Sequence, residues 1–255
     1  MTRGVRPSVA AAAAVAAAFL VVPVAWLTWR ALVGGMDLDE PVIAALRLSL
    51  LTTAMSLLLT IGFGTPLAWV LARRRLPAHR VVEALVDLPI VLPPAVAGLA
   101  LLFFFGRRGP LGALGAEVAF TTLAVVLAQT FVSAPFFIRS ARGAFATVHR
   151  DLEDAARIDG AGEWAVFRRV TVPLAVPVLV GGAILAWARA LGEFGATIMF
   201  AGNIAGITQT LPLAVYAEFQ SSLDASIAAA AILVVAALAV LTGVHLVRAD
   251  REQPL

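Results

Sequence analysis

Two clusters of polar side chains interrupt an otherwise apolar chain, and both carry charge at spacings that suit contact and coupling better than catalysis. The first runs from Asp151 through Glu153, Asp154 and Arg157 to Gly160 and Trp164; the second holds Arg189, Glu193 and Asn203. Neither pairs a nucleophile with a base. The chain has no cysteine, which removes disulfides, thiol catalysis and cysteine zinc sites, and its histidines, His79, His149 and His245, lack the spacing of metal ligands. The motifs H-E-x-x-H, G-x-S-x-G and the phosphate-cradling G-x-x-x-x-G-K-S/T are missing too. Peptide hydrolysis and ATP binding are therefore not expected of this chain, and it is given no catalytic residue, metal or cofactor of its own.

Around the first cluster the sequence reads RSARGAFATVHRDLEDAARIDGAGEWAVFRRVTVPLAVP, the longest polar stretch in the protein. Asp151 is placed to cap a helix whose first turn carries Glu153 and Asp154, where carboxylates meet the positive end of the helix dipole. Ala155 and Ala156 give that helix a smooth face. Gly160 then permits a left-handed stop and Ala161 follows it. Trp164 and Phe167 fall three apart on a second short helix, before Pro173 opens the next apolar segment. A helix, a sharp turn and a helix, with small residues at the centre and aromatic residues beside them, suits docking in a groove of a cytosolic partner. The plain alternative is a solvated connector.

In the second cluster Arg189 and Glu193 lie one helical turn apart, so each lowers the cost of the other's charge at membrane depth, either as a structural pair or as part of a gate. Gly195, Gly202 and Gly206, with Asn203, Thr208, Gln209 and Thr210, are expected to break the helix into a polar, flexible outer segment. Such backbone is tolerated near a membrane where it lines a cavity or is covered by protein. Ser49, Thr52, Thr53, Ser56 and Thr60 share one helical face, which serves close helix packing or lines a translocation path. Arg47, near the outer end of that helix, snorkels to the interface or attracts an anion. The candidate path or gate residues are thus Arg47, Ser49, Thr52, Thr53, Ser56, Arg189, Glu193 and Asn203.

The elements that must position these residues follow from composition. The 255 residues are 61% hydrophobic and 14% charged, with a mean hydropathy of +0.94, far too apolar for a water-soluble domain of this length. Charges collect in short runs between apolar stretches of about 20 residues, the length that crosses a bilayer as a helix. The runs lack the alternation of barrel strands. Six segments are predicted: Ser8 to Val33, Val42 to Ala72, Ile90 to Phe105, Val118 to Ile138, Pro173 to Phe194 and Leu223 to Val247. Pro89, Pro93 and Pro94 interrupt the third and Pro135 the fourth. The fold class is all-α, a single membrane domain over residues 1–255 with about six transmembrane helices and a loop at 139–172.

Orientation follows from arginine, since all 19 basic residues are Arg. With both termini inside, the cytosolic set is Arg3, Arg6, Arg73, Arg74, Arg75, Arg80, Arg139, Arg142, Arg150, Arg157, Arg168, Arg169, Arg248 and Arg251. The outer set is only Arg30, Arg107 and Arg108. Both termini and the 139–172 loop are predicted to be cytosolic. A cleaved signal peptide is the alternative for the first segment, but its apolar run is longer than a signal core of about 7 to 15 residues and ends on Trp26 and Trp29. A net charge of only +3 gives no reason to expect nucleic acid.

The first cluster resembles the cytosolic signature of ABC importer membrane subunits, E-A-A, three residues, G, nine residues, I-x-L-P. Here Asp154, Ala155 and Ala156 are followed at that spacing by Gly160, and nine residues later by Val170, Thr171, Val172 and Pro173. Asp replaces Glu and Val replaces both Ile and Leu, and Glu153 stands next door. The resemblance implies a type I importer permease fold and a coupling helix seated in a cytosolic ATPase, with Glu153, Asp154, Ala155, Ala156, Gly160, Ala161, Trp164 and Pro173 as the coupling residues. The stretches GEFGA, LPIVLPPAVAGLALLFFFG and LAQTFVSAPFFIRSAR are similar to the oxyanion branch of that family, and QTLPLAVY looks most like its molybdate permeases. The resemblance therefore implies uptake of molybdate or tungstate across a bacterial inner membrane. It also implies an extracytoplasmic oxyanion-binding protein, a second permease copy forming a homodimer, membrane lipid around both, and ATP and Mg only on the ATPase. A sulfate or thiosulfate permease is the nearest alternative. An ion-coupled secondary transporter is further off, since only Glu193 offers a buried carboxylate.

Overall fold

The computed structural model describes residues 7–35, 39–73, 78–115 and 117–249. Arg3, Arg6, Arg74, Arg75 and Arg251 of the arginine count lie outside them. Among the described residues the chain is helix and connecting loop, without strand. Its helices are α1 (Pro7–Gly34), α2 (Glu40–Arg73), α3 (His79–Val91), α4 (Pro94–Phe105), α5 (Thr122–Thr147), α6 (Arg150–Ile158), α7 (Glu163–Val166), α8 (Val172–Leu191), α9 (Gly195–Ala201), α10 (Leu211–Ser221) and α11 (Leu223–Ala249). A π-helical turn, Phe167–Thr171, joins α7 to α8 without a break.

Four helices are long and apolar enough to cross a membrane among the described residues: Ser8–Gly34, Glu40–Arg73, Thr122–Thr147 and Glu163–Leu191. The last predicted segment, Leu223 to Val247, is the helix α11, apolar over Leu223–Ala239. The third predicted segment is corrected. Ile90 to Phe105 is not one kinked helix but the junction of α3 and α4, which meet at 115°. Leu92 and Pro93 are extended and Pro94 opens α4, because a proline excludes the helical region for the residue before it and cannot supply the interior backbone donor. The 12 residues of α4 span about 18 Å, short of a hydrocarbon core of about 30 Å. Only with α3 does the pair count as a fifth, broken span. The predicted loop is also shorter at its start, since α5 continues to Thr147.

The central element is α5, which packs against α2, α3, α4, α8 and α9. Its N-terminus is capped by Thr121, whose hydroxyl accepts the Ala124 N–H at 3.3 Å. Apolar packing at its far end gathers Ala68 and Leu71 of α2, Phe137, Ala141 and Phe145 of α5, and Ala186 of α8. Nearer its start, Ala124, Val125 and Ala128 pack with Ala97 of α4 and Ala196 and Phe200 of α9. Small residues set these distances. A Cβ on Gly182 would stand 2.6 Å from the Ser140 Cβ, and one on Gly98 only 2.6 Å from the Ala196 carbonyl oxygen. Meanwhile α3 is held on α5 by ion pairs, Glu83 with Arg142 and Asp87 with Arg139.

Gly98→Ala is expected to push α4 off α9 and destabilise the protein by about 1–3 kcal/mol, the usual range for overpacking. Gly62→Ala, where a Cβ meets open space, should leave stability unchanged. Detergent-solubilised protein titrated with SDS measures both; equal stability of the two variants would show that the α4–α9 contact is not formed.

Candidate functional site

The connection between α5 and α8 is built as a helix, a turn and a helix. In α6 the N-cap is His149, which makes no side-chain cap bond, so Asp151 is corrected from capping residue to a first-turn carboxylate beside Glu153. The helix closes on Gly160 at φ +87°, with the Gly160 N–H donating to the Arg157 carbonyl and the Ala161 N–H to the Ala156 carbonyl, both at 3.0 Å. This double bond pattern needs a left-handed residue at that position, which favours glycine. The second helix is only Glu163–Val166, so Phe167 belongs to the π turn and not to a helix shared with Trp164.

The surface of this unit is apolar over much of its area. Ile158 is 86% exposed and Trp164 70%, with Leu152 and Ala155 also outward. The Trp164 ring stacks on Phe167 at 5.6 Å, and Phe167 meets Trp69 and Phe145, so the exposed indole rests on a fixed aromatic base. Arg157 joins the two helices, donating to Asp154 at 2.6 Å and Glu163 at 2.9 Å. Glu163 and then Asp154 raise the pKa of its guanidinium above the usual value, so it is cationic at any physiological pH.

Beneath this surface Glu153 points inward and is 4% exposed. Its Oε1 accepts from Arg73 Nη2 at 2.8 Å and from Thr171 Oγ1 at 2.7 Å, and the same Arg73 nitrogen donates to the Val148 carbonyl at 2.9 Å. One carboxylate oxygen therefore gathers the end of α2 and the root of α8, and Arg73 adds the residue after α5. A cleft of about 220 Å³ lies alongside, lined by Trp69, Arg73, Arg150, Asp154 and Glu163 among others.

The second cluster lies between α8 and α10. Arg189 and Glu193 form the expected pair at 2.6 Å, and Glu193, 1% exposed, also accepts the Ala196 N–H at 2.7 Å and so caps α9. The segment after it is a short helix followed by a loop whose residues 203–207 are exposed. Gly192 to Phe194 separate α8 from α9, the left-handed Gly202 ends α9, and Thr208 and Thr210 are buried. The backbone is satisfied locally, with the Ile204 N–H donating to Thr208 Oγ1 at 2.9 Å and the Leu211 N–H to Ser49 Oγ at 2.7 Å.

The structure places Glu153, Asp154, Ala155 and Ala156 in α6, Gly160 and Ala161 in the turn after it, Trp164 in α7 and Pro173 in the first turn of α8, with Glu153 the buried member of the acidic pair. Arg73 and Thr171 were missed as its partners. Arg73 was visible only as part of an arginine run, and a contact 80 residues away in sequence leaves no local trace. Ser49, Thr52, Thr53 and Ser56 are each 0% exposed; Ser56 receives the Thr130 hydroxyl at 3.1 Å from α5. Ser49 and Ser56 bond neighbouring elements, while Thr52 and Thr53 donate back to the Ser49 carbonyl of α2 itself. Arg47 and Asn203 are exposed, the latter donating to the Leu213 carbonyl at 3.5 Å.

Residues 64–251 match the family model described as binding-protein-dependent transport system inner membrane component. The chain is 48% identical over 204 residues to the molybdenum transport system permease protein ModB of Mycobacterium tuberculosis, covering 78% of this chain and 77% of that one. It is 41% identical over 212 residues to the ModB of Escherichia coli strain K12, covering 81% and 93%. Among solved structures, a bacterial alginate ABC transporter in complex with an alginate pentasaccharide-bound periplasmic protein aligns with a TM-score of 0.67 at 18% identity, over 86% of this chain and 83% of that one. At that identity the likeness concerns the fold.

Gly160→Val places a β-branched residue at a left-handed φ, a strain of about 1–2 kcal/mol. Hydrogen exchange across residues 150–166 is expected to accelerate by roughly 5- to 30-fold for the amides that close α6, with Gly160→Asn close to wild type. Unchanged exchange in the valine variant would show that the turn does not depend on glycine.

Proposed function

Since the chain belongs to the family of binding-protein-dependent transport system inner membrane components, we propose that it is the membrane-spanning permease subunit of an ATP-driven importer that takes up molybdate. The observation that carries this reading is the identity of 41–48% to permeases named for molybdenum transport, over about four-fifths of the chain. Tungstate, nearly the same in size and charge, is expected to be accepted too.

The unit α6–α7 is the part of the chain suited to receive work from outside. Its exposed Leu152, Ala155, Ile158 and Trp164 present apolar knobs on a short helix, the form that fits a groove in a partner. The distribution of arginine puts this unit and both termini on the cytosolic side, so the partner is a cytosolic ATPase carrying its own ATP and Mg. On the opposite side an extracytoplasmic binding protein delivers the anion, and a second copy of the chain completes a channel in the bacterial inner membrane. Each copy contributes no chemistry of its own. Arg47 and Asn203 are the candidate path residues exposed in the single chain.

A secondary transporter is disfavoured by Glu193. Its two oxygens are engaged by Arg189 and by the Ala196 N–H, which commits this carboxylate to an ion pair and a helix start. Sulfate remains the competing substrate, because a tetrahedral dianion offers the same charge and the discrimination rests on size.

Proteoliposomes holding the permease, its ATPase and its binding protein are expected to accumulate molybdate at least about tenfold faster than sulfate, a difference of about 1.4 kcal/mol. Purification from the native membrane should recover the ATPase with this chain. Faster sulfate uptake would overturn the substrate, and a permease that transports without any ATPase would overturn the class. Ile158→Asp, which puts a charge on the docking face, should lower ATPase recovery by at least about tenfold.

A further inference from the structure

We propose that Glu153, Arg73 and Thr171 form a strut that carries motion of α6 into the membrane helices, an inference that rests on the importer reading above. Among the described residues of α6, Glu153 alone is buried. Ala156 and Arg157 are half-buried and Arg157 also bonds Glu163 of α7, so a force applied to the outer face of α6 reaches α7 through that bridge and reaches the ends of α2 and α8 through the Glu153 carboxylate. The carboxylate leads to three places at once. Arg73 ends α2, Thr171 precedes α8, and the Val148 carbonyl held by the same guanidinium follows α5.

The chemistry of this junction favours transmission over simple adhesion. An apolar cluster would hold α6 as firmly, since burying an ion pair brings little net stability, but it would let α6 slide between similar packings. A carboxylate oxygen shared by a guanidinium and a hydroxyl at 2.8 and 2.7 Å fixes distance and direction together. Displacement of α6 then takes α2 and α8 with it. Those two helices reach the far cluster, α2 through Ser49 on the Leu211 N–H and α8 through Arg189 and Glu193 on α9. Glu153, Arg73 and Thr171 are positioning residues in this scheme; they touch no substrate.

The test uses the complete complex in proteoliposomes and reads molybdate uptake and ATP hydrolysis in parallel. Glu153→Gln and Glu153→Ala are expected to co-purify with the ATPase and hydrolyse ATP at rates near wild type, while molybdate moved per ATP falls by about tenfold in the alanine variant and less in the glutamine variant. The exchanged pair Glu153→Arg with Arg73→Glu should recover part of the ratio. An unchanged ratio, or loss of ATPase recovery in both single variants, overturns the strut. Failure of the unaltered chain to co-purify with an ATPase overturns the importer reading instead.

A second measurement does not need a variant of the strut. The chain has no cysteine, so Val70→Cys and Asp151→Cys take spin labels only at the end of α2 and on α6. Their separation should stay constant between nucleotide-free and ATP-bound complexes. A separation that changes with nucleotide shows that α6 moves independently of α2, and the strut is then wrong.

Discussion

Helices in hydrocarbon gain nothing from hiding apolar side chains against one another, because lipid is as apolar as they are. What holds them is close backbone approach and a few polar contacts, and this constraint explains the composition of the buried positions. Ala68, Ala97, Ala124, Ala128, Ala141 and Ala196 are all 0% exposed, where a soluble core would place leucine and isoleucine. Gly98 and Gly182 sit where a methyl group would collide with a neighbouring helix. Many large apolar residues point outward, Phe19, Leu58, Phe63 and Phe103 each 71% exposed or more, while Phe137, Phe145 and Phe200 fill the spaces the small residues leave. With α5 contacting α2, α3, α4, α8 and α9, its alanine and serine positions decide how near each of five neighbours can come.

The same solvent dictates where irregular backbone is allowed. The chain breaks its helices at Leu92 and Pro93, at Gly192 to Phe194 and at Gly202 to Thr210, and unpaired N–H groups in such places cost several kcal/mol in hydrocarbon. Side chains take over the missing bonds. Glu193 receives Ala196, Thr208 receives Ile204, and Ser49 receives Leu211. The hydroxyl of Ser49 thus has a second consequence beyond its small size. It ties the start of α10 to α2 across 162 residues of sequence, and Ser56 ties the same face to Thr130 of α5.

Helical class was legible because hydropathy reports burial in lipid directly, though four long apolar helices, or five spans with the bent pair, stand among the described residues where six were expected. The helix, turn and helix of residues 150–166 were legible because Gly160 and the paired alanines act within a few residues. What escaped was non-local. The 115° turn at Leu92 was visible as prolines but not as an angle, since a proline kinks or ends a helix according to what it packs on. Glu153 and Asp154 are adjacent acids with identical local signals, yet one is buried against Arg73 and the other is exposed beside Arg157. Which of them turns inward is settled by the end of α2. Sequence periodicity along α6 carries no information about that helix. The α2 hydroxyl face was read correctly as one face, but its choice between packing and path depended on which helix lies opposite.

The two buried carboxylates are related through α8. Glu153 holds Thr171, the residue before that helix, and Glu193 lies two residues beyond its end, paired with Arg189 in its last turn. One end of this rod is thereby tied by the Thr171 hydroxyl to the Glu153–Arg73 pair of α6 and α2, and the other by the Arg189–Glu193 pair to the N-terminus of α9, whose Ala196 N–H Glu193 accepts. Removing one member of such a pair strands its partner and costs about 3–5 kcal/mol, whereas replacing a whole pair by apolar residues is often neutral. Stability alone therefore gives no reason for charge at these positions. A charge-assisted hydrogen bond differs from an apolar contact in fixing direction as well as distance. That directional hold at both ends of α8 is the property that small-residue packing, which tolerates sliding, does not supply.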